Sequence, residues 1–100
     1  MKVVVLMCVE EFVEDARKLL KEQKVPAFSE VGMQGYKLEE PDESDNWFAS
    51  KHYLDNSHVF FSMIDDKKAD ELMAAINVCK DNKRLNSVHA FQLGVEKFIG

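Results

Sequence analysis

Three histidines (His52, His58, His89), two cysteines (Cys8, Cys79) and eighteen acidic side chains are the residues of this 100-residue chain that could bind a metal or move a proton. No two histidines stand one helical turn apart, and the acids lack the regular spacing of a calcium loop, so the linear sequence spells out no metal site. A site made from the histidines and cysteines would need folding or assembly to bring them together. The cysteines form neither a CxxC pair nor a disulfide framework, and each sits inside an apolar pattern, which is the setting of a buried free thiol. No GxSxG, HExxH, P-loop or dinucleotide fingerprint occurs, and scattered carboxylates do not make an acid–base pair. The expectation is a protein that is not an enzyme, with neither catalytic nor metal-ligating residues.

Binding chemistry is better represented. Lys83 and Arg84 can grip a phosphate or a carboxylate, the arginine through two parallel hydrogen bonds; they can equally be solvated charges at a helix C-terminus, where the helix dipole favours them. Gly35 can let backbone amides approach a ligand, or it can serve the geometry of a bend. Gln34 and Lys37 can orient a ligand from the same place. Trp47, the only tryptophan, and Phe48 stand among acids and can anchor a partner protein or pack back on the domain.

These residues must be held by regular elements. Residues 2–9 are almost uniformly apolar and β-branched, the pattern of a strand buried on both faces. Residues 10–24 change period: Phe12, Val13, Ala16, Leu19 and Leu20 recur at helical spacing, with acids first and lysines last, and Pro26 marks the end. Residues 27–36 predict a second strand, with Gly32 and Gly35 near its end signalling a bulge, a bend or a close backbone approach. Residues 58–64 predict a third strand. Asp65-Asp66 offers an N-cap for a second helix to about Lys80 that carries Ala69, Leu72, Met73, Ile76 and Cys79 on one face. Residues 81–87 read as a turn, 88–93 as a fourth strand and 95–99 as a last short strand or turn.

The result is an α+β, ferredoxin-like βαββαβ order in a single domain over 1–100, with an open antiparallel sheet. Between strands 2 and 3 lies a polar stretch, 37–57, far longer than the usual connection of about 4–6 residues. From 37 to 58 there are six acids against two bases, so this stretch carries four of the chain's five net negative charges. At 46% hydrophobic residues the chain can build a core, and a pI near 5.1 without a basic run speaks against nucleic-acid binding. The longest apolar run, 3–9, suits neither a signal peptide nor a membrane span, which predicts a cytoplasmic protein. Strand 3 is apolar on both faces, so the side of the sheet without helices needs cover too, and a homo-oligomer is expected.

Ser29-Glu30-Val31-Gly32-Met33-Gln34-Gly35 looks like the threonine-glutamate-valine strand that leads through glycines into the T-loop of the PII family of trimeric signalling proteins. Phe12-Val13 through Leu20 resembles that family's first helix, and Val95-Glu96-Lys97-Phe98-Ile99 its valine-glutamate-glutamate tail. The resemblance covers most of the chain and identifies 37–57 with the T-loop. It implies a homotrimer that binds a small effector, an adenine nucleotide or an anion such as bicarbonate, in clefts between subunits. Gln34, Gly35 and Lys37 at the base of the loop and Lys83 and Arg84 in the turn would contact it. The loop, with Trp47 and Phe48, would then reorder against a target such as a membrane transporter. Where the family has a glycine-rich phosphate turn, this chain has Asn82-Lys83-Arg84-Leu85-Asn86-Ser87, without glycine. The loop also lacks the family's context for a uridylylated tyrosine. Competing readings come from relatives of the same topology: CutA-type cation-tolerance proteins and PII-like proteins linked to metal efflux, or a dimeric α/β-barrel enzyme.

Overall fold

In a computed structural model that describes residues 1–35 and 56–100, strand β1 (Lys2–Val9) runs through the middle of a four-stranded sheet. It leads through a 3-10 turn (Glu10–Phe12) into helix α1 (Val13–Glu22) and strand β2 (Ser29–Gln34). Strand β3 (Asn56–Ile64), helix α2 (Asp66–Asp81) and strand β4 (His89–Gly94) complete the order. The sheet order is β2-β3-β1-β4 with every pair antiparallel, the arrangement expected of a ferredoxin-like βαββαβ chain.

The uniform apolarity of β1 has a direct cause, because both of its faces need apolar side chains. Val4, Leu6 and Cys8 point to the helices and are buried, against Val13, Ala16, Leu19 and Leu20 of α1 and Ala69, Leu72, Ile76 and Cys79 of α2. Phe60 and Ile64 of β3 fill the same core. Both cysteines are free and buried, as their apolar settings predict. On the opposite face Val3, Val5, Met7 and Val9 register with Met63, Phe61, Val59 and Ser57. No helix among the described residues covers that side. Val31 (51%), Phe61 (42%), Met63 (42%) and Leu93 (54%) remain exposed there.

Several boundaries differ from the sequence expectation. The first helix is expected over 10–24, but its first three residues are 3-10, and it stops at Glu22, before Pro26 is reached. Lys24 takes the left-handed conformation (φ 57°), and the amides of Gln23, Lys24 and Val25 turn back onto the carbonyls of Leu19, Lys21 and Leu20. A residue other than glycine in that conformation costs about 1–2 kcal/mol. Lys24→Gly is therefore expected to raise the unfolding free energy by about 0.5–1 kcal/mol, part of the gain being offset by glycine's looser unfolded state. A urea denaturation curve checks this.

Gly32 forms no bulge: the β2–β3 register runs unbroken from Ser29↔Phe61 to Gln34↔Asn56. β3 begins at Asn56, so the end of the expected 37–57 loop belongs to the sheet. Asp65 caps α2 as expected, accepting from the Lys68 amide at 2.7 Å. α2 runs to Asp81, and the expected turn hides a core residue: Leu85 is fully buried, with its amide on the Cys79 carbonyl. Val88 is buried just ahead of β4. Residues 95–99 form no strand. The β1–β4 ladder ends at Lys2↔Gly94, followed by a bond from the Val95 amide to the Met1 carbonyl, and Phe98 and Ile99 are exposed. No helix among the described residues is long and apolar enough to cross a membrane.

Candidate functional site at the head of the β2–β3 pair

The register decides which side chains share the helix-side face where the chain enters and leaves the long excursion. Gly32 lies opposite His58 and Gln34 opposite Asn56, while Cys8 faces His58 from the other flank. Two residues beyond Cys8, Glu10 comes beside Asn56, whose amide makes a long 3.5 Å contact with the Glu10 carboxylate. Alternation along a strand puts Cys8, Glu30, Gly32, Asn56 and His58 on one side of the sheet.

Glu30 is the centre of this group. Arg17 of α1 grips its carboxylate with both arms, Nε on Oε1 at 2.8 Å and a terminal nitrogen on Oε2 at 2.7 Å, and its other terminal nitrogen reaches Glu14. The Arg17 hydrogen bonds, outweighing burial, hold the Glu30 carboxyl below its ordinary range; His58 adds in the same direction. His58 Nδ1 lies 3.0 Å from Glu30 Oε2. An ionised carboxylate only accepts, so the imidazole donates through Nδ1, and in the neutral ring the lone pair is then on Nε2. Beneath them the Cys8 thiol is pushed up to about 11, by burial first and by the Glu30 charge second. A thiol in that state is a poor nucleophile at neutral pH.

His58, Asn56, Ser57, Gly32, Gln34 and Glu10 line a cavity of about 440 Å³. The side facing it is polar because β1 has by then passed into the 3-10 turn, and the apolar stripe of α1 starts only at Val13. A second cavity of about 340 Å³ lies between α2 and β4, lined by Met73, Ile76, Lys80, Val88, His89 and Phe91 among others. Burial first, and the Lys80 charge second, hold the His89 pKa below 6.5.

That depression has a definite sign. The unfolded chain takes up a proton at His89 more readily than the fold does, so the His89 contribution to stability is whole above pH about 6.5 and is lost as pH falls from there toward the lower folded value. Glu30 and Glu22, whose carboxyls are held down by Arg17 and Arg84, act likewise at lower pH: their contributions are full above the ordinary carboxylate range and decline as pH falls through it. The expected outcome is a loss of stability that begins just below neutral, with His89→Gln removing only that first part. Urea midpoints between about pH 7.5 and 5 that do not move in the unmodified chain would refute it.

The sequence-predicted ligand residues fall in two places. Gln34 ends β2 and Gly35 follows it, at one edge of the sheet. Lys83 and Arg84 precede β4, which forms the other edge. Lys83 is exposed in the left-handed conformation (φ 64°). Arg84 donates to Glu22 at the end of α1 at 2.8 Å, and Asn82 fixes its amide. Sheet order therefore keeps the two pairs apart within one chain. Lys37, Trp47 and Phe48 lie outside the described residues. Arg17, Glu30, His58 and Glu10 escaped the sequence reading as a group; the available signal was that Glu30 and His58, like Gly32, sit on the two strands flanking the excursion.

No protein-family model matches the chain, and no curated protein matches it by sequence. Solved structures do match. One is a Thermus thermophilus protein described as PII-like and signaling, at 9% identity and TM-score 0.63, the match covering 92% of this chain and 83% of that one. Another is a DUF3240 family protein from Shewanella baltica, at 14% identity and TM-score 0.69, covering 99% and 93%. The fold of this chain is a divergent PII-like fold.

Proposed function

We propose, from the premise of a PII-like fold, that this protein is a regulatory protein acting as a homotrimer. Its effector is an adenine nucleotide or an anion such as bicarbonate, held between subunits. Gln34, Gly35 and Lys37 of one copy and Lys83 and Arg84 of another supply the contacts. Occupancy changes the arrangement of the acidic loop 37–57, through which Trp47 and Phe48 engage a partner, most naturally a membrane transporter; the protein itself is cytoplasmic and performs no catalysis. The switch is one of loop order.

The observation that carries this reading is the bare apolar face of the sheet, with Gln34 and Gly35 at the end of one edge strand and Lys83 and Arg84 ahead of the other. Exposed apolar side chains gathered on one face support an interface there. Covering it with further copies brings unlike edges together, which one chain cannot do by itself. Light scattering and calorimetry test the two halves of the proposal. A particle three times the chain mass that binds ATP, ADP, AMP, cyclic AMP or bicarbonate, and loses that binding in Lys83→Ala/Arg84→Ala, is expected. A monomer, or an assembly that binds none of them, would overturn it.

A further inference from the structure

The geometry points to a divalent transition-metal site in the cavity at the head of the β2–β3 pair, with His58 Nε2 and the Glu10 carboxylate as its side-chain ligands and the Asn56 side-chain amide beside them. This goes beyond the effector reading and does not rest on it, since every ligand belongs to one chain.

The argument begins at Glu30. A histidine that binds a metal through one ring nitrogen usually donates the other to a carboxylate or carbonyl, which fixes the tautomer and the ring orientation and makes the free nitrogen a better donor. His58 has that support already: Nδ1 is on Glu30 at 3.0 Å, and Glu30 is clamped in turn by Arg17 at 2.7 and 2.8 Å. Arg17 also balances the charge of Glu30 behind the ring, so Glu10, the one carboxylate among the residues that line the cavity, sets its sign. That sign suits a cation.

Register supplies the rest. His58 and Asn56 are two apart on β3 and share a face; Glu10 lies beside Asn56, the two joined by the 3.5 Å contact, and all three line the one cavity. Gly32, directly opposite His58, contributes no side chain, and a Cβ placed there would meet nothing within 4 Å, so the space beside the ring is open. Among the described residues no three His, Cys, Asp or Glu side chains converge to hold an ion. The site therefore has one imidazole and one carboxylate, with water completing the coordination and the Asn56 amide nitrogen facing the carboxylate. Mixed nitrogen and oxygen donors favour zinc, nickel, cobalt or copper over magnesium and calcium, which take oxygen ligands. Cys8 is buried and is not among the residues that line the cavity.

Calorimetric titration of the full chain with zinc chloride and with nickel chloride tests this. One saturable ion per chain is expected, with affinity reduced at least about tenfold by His58→Gln and by Glu10→Gln, the latter at an exposed position whose change leaves the core intact. Glu30→Gln, which loosens the support of the ring and leaves Arg17 without its partner carboxylate, is expected to weaken binding by about 10–100-fold. Nitrogen-15 spectra of the imidazole should show the metal shifting His58 Nε2 and not Nδ1. Thermal unfolding of each variant establishes that it is folded, and if Glu30→Gln is not, the two other variants decide. No saturable binding of either ion, or binding whose affinity is unchanged in both His58→Gln and Glu10→Gln, overturns the site.

Discussion

Replacing Leu85 by alanine is expected to lower the unfolding free energy by about 2–5 kcal/mol, a large share of the roughly 5–15 kcal/mol that holds a domain together. The side chain is fully buried, although it stands in the middle of a polar turn between Lys83-Arg84 and Asn86-Ser87. Alanine there removes the apolar anchor and leaves a cavity against the core that also contains Cys79 and Val88. Leu85→Met, which keeps the volume, is expected to cost less than about 1.5 kcal/mol. The contrast matters because Lys83 and Ser87 both sit in the left-handed region, at φ 64° and 59°. A turn with two such residues holds its shape because Leu85 pins it from below and the Leu85 amide ties it to Cys79. Chemical denaturation of both variants checks the prediction, and an alanine variant within about 0.5 kcal/mol of the unmodified chain sinks it.

The second large effect concerns assembly. Phe61→Glu is expected to reduce the particle to the single-chain mass of 11.5 kDa while leaving the far-ultraviolet circular dichroism of the fold in place. Phe61 is 42% exposed on the helix-free face, opposite Val5 on one side and Ser29 on the other. A carboxylate there is solvated in a lone chain, but inside an apolar interface it is an unpaired buried charge. Phe60→Glu, one residue earlier and facing the helices, is the control: it is expected to abolish folding, because Phe60 is fully buried and packs on Phe28 at a ring separation of 6.0 Å. Multi-angle light scattering of Phe61→Glu that returns the same mass as the unmodified chain would show that the bare face is not where copies meet.

The architecture was legible wherever a hydrophobic period ran long enough to be unambiguous. The apolar run of β1 and the 3.6-residue stripes of α1 and α2 are dictated by burial, and burial is what composition and spacing report. The misread boundaries all belong to positions decided by the backbone. Lys24 stops α1 through a conformation that lysine does not advertise, and Pro26, the visible signal, comes too late to act. Leu85 lies in the expected turn, but its polar neighbours hid its burial. Residues 95–99 carry the composition of a short strand or a turn, but the β1–β4 ladder ends at Lys2↔Gly94, ahead of them.

The site was less legible for a related reason. Glu30 and His58 are 28 positions apart, and Arg17 and Glu30 are 13 apart. Only the strand register tells which of the many charged residues face one another. Lys83 and Arg84, by contrast, were visible as adjacent cations, yet the sequence could not say that Arg84 would already be engaged by Glu22.

That engagement makes the proposed recognition at the turn partly an exchange. An anion that needs the Arg84 nitrogen bonded to Glu22 must displace that carboxylate, while one that uses the other guanidinium donors has to share Arg84 with it. A singly charged competitor swaps like for like and gains little, whereas a group bearing several charged oxygens can outbid a lone carboxylate. The Arg84–Glu22 pair is in this sense a built-in discriminator, and Glu22→Gln is the substitution that would blunt its selectivity.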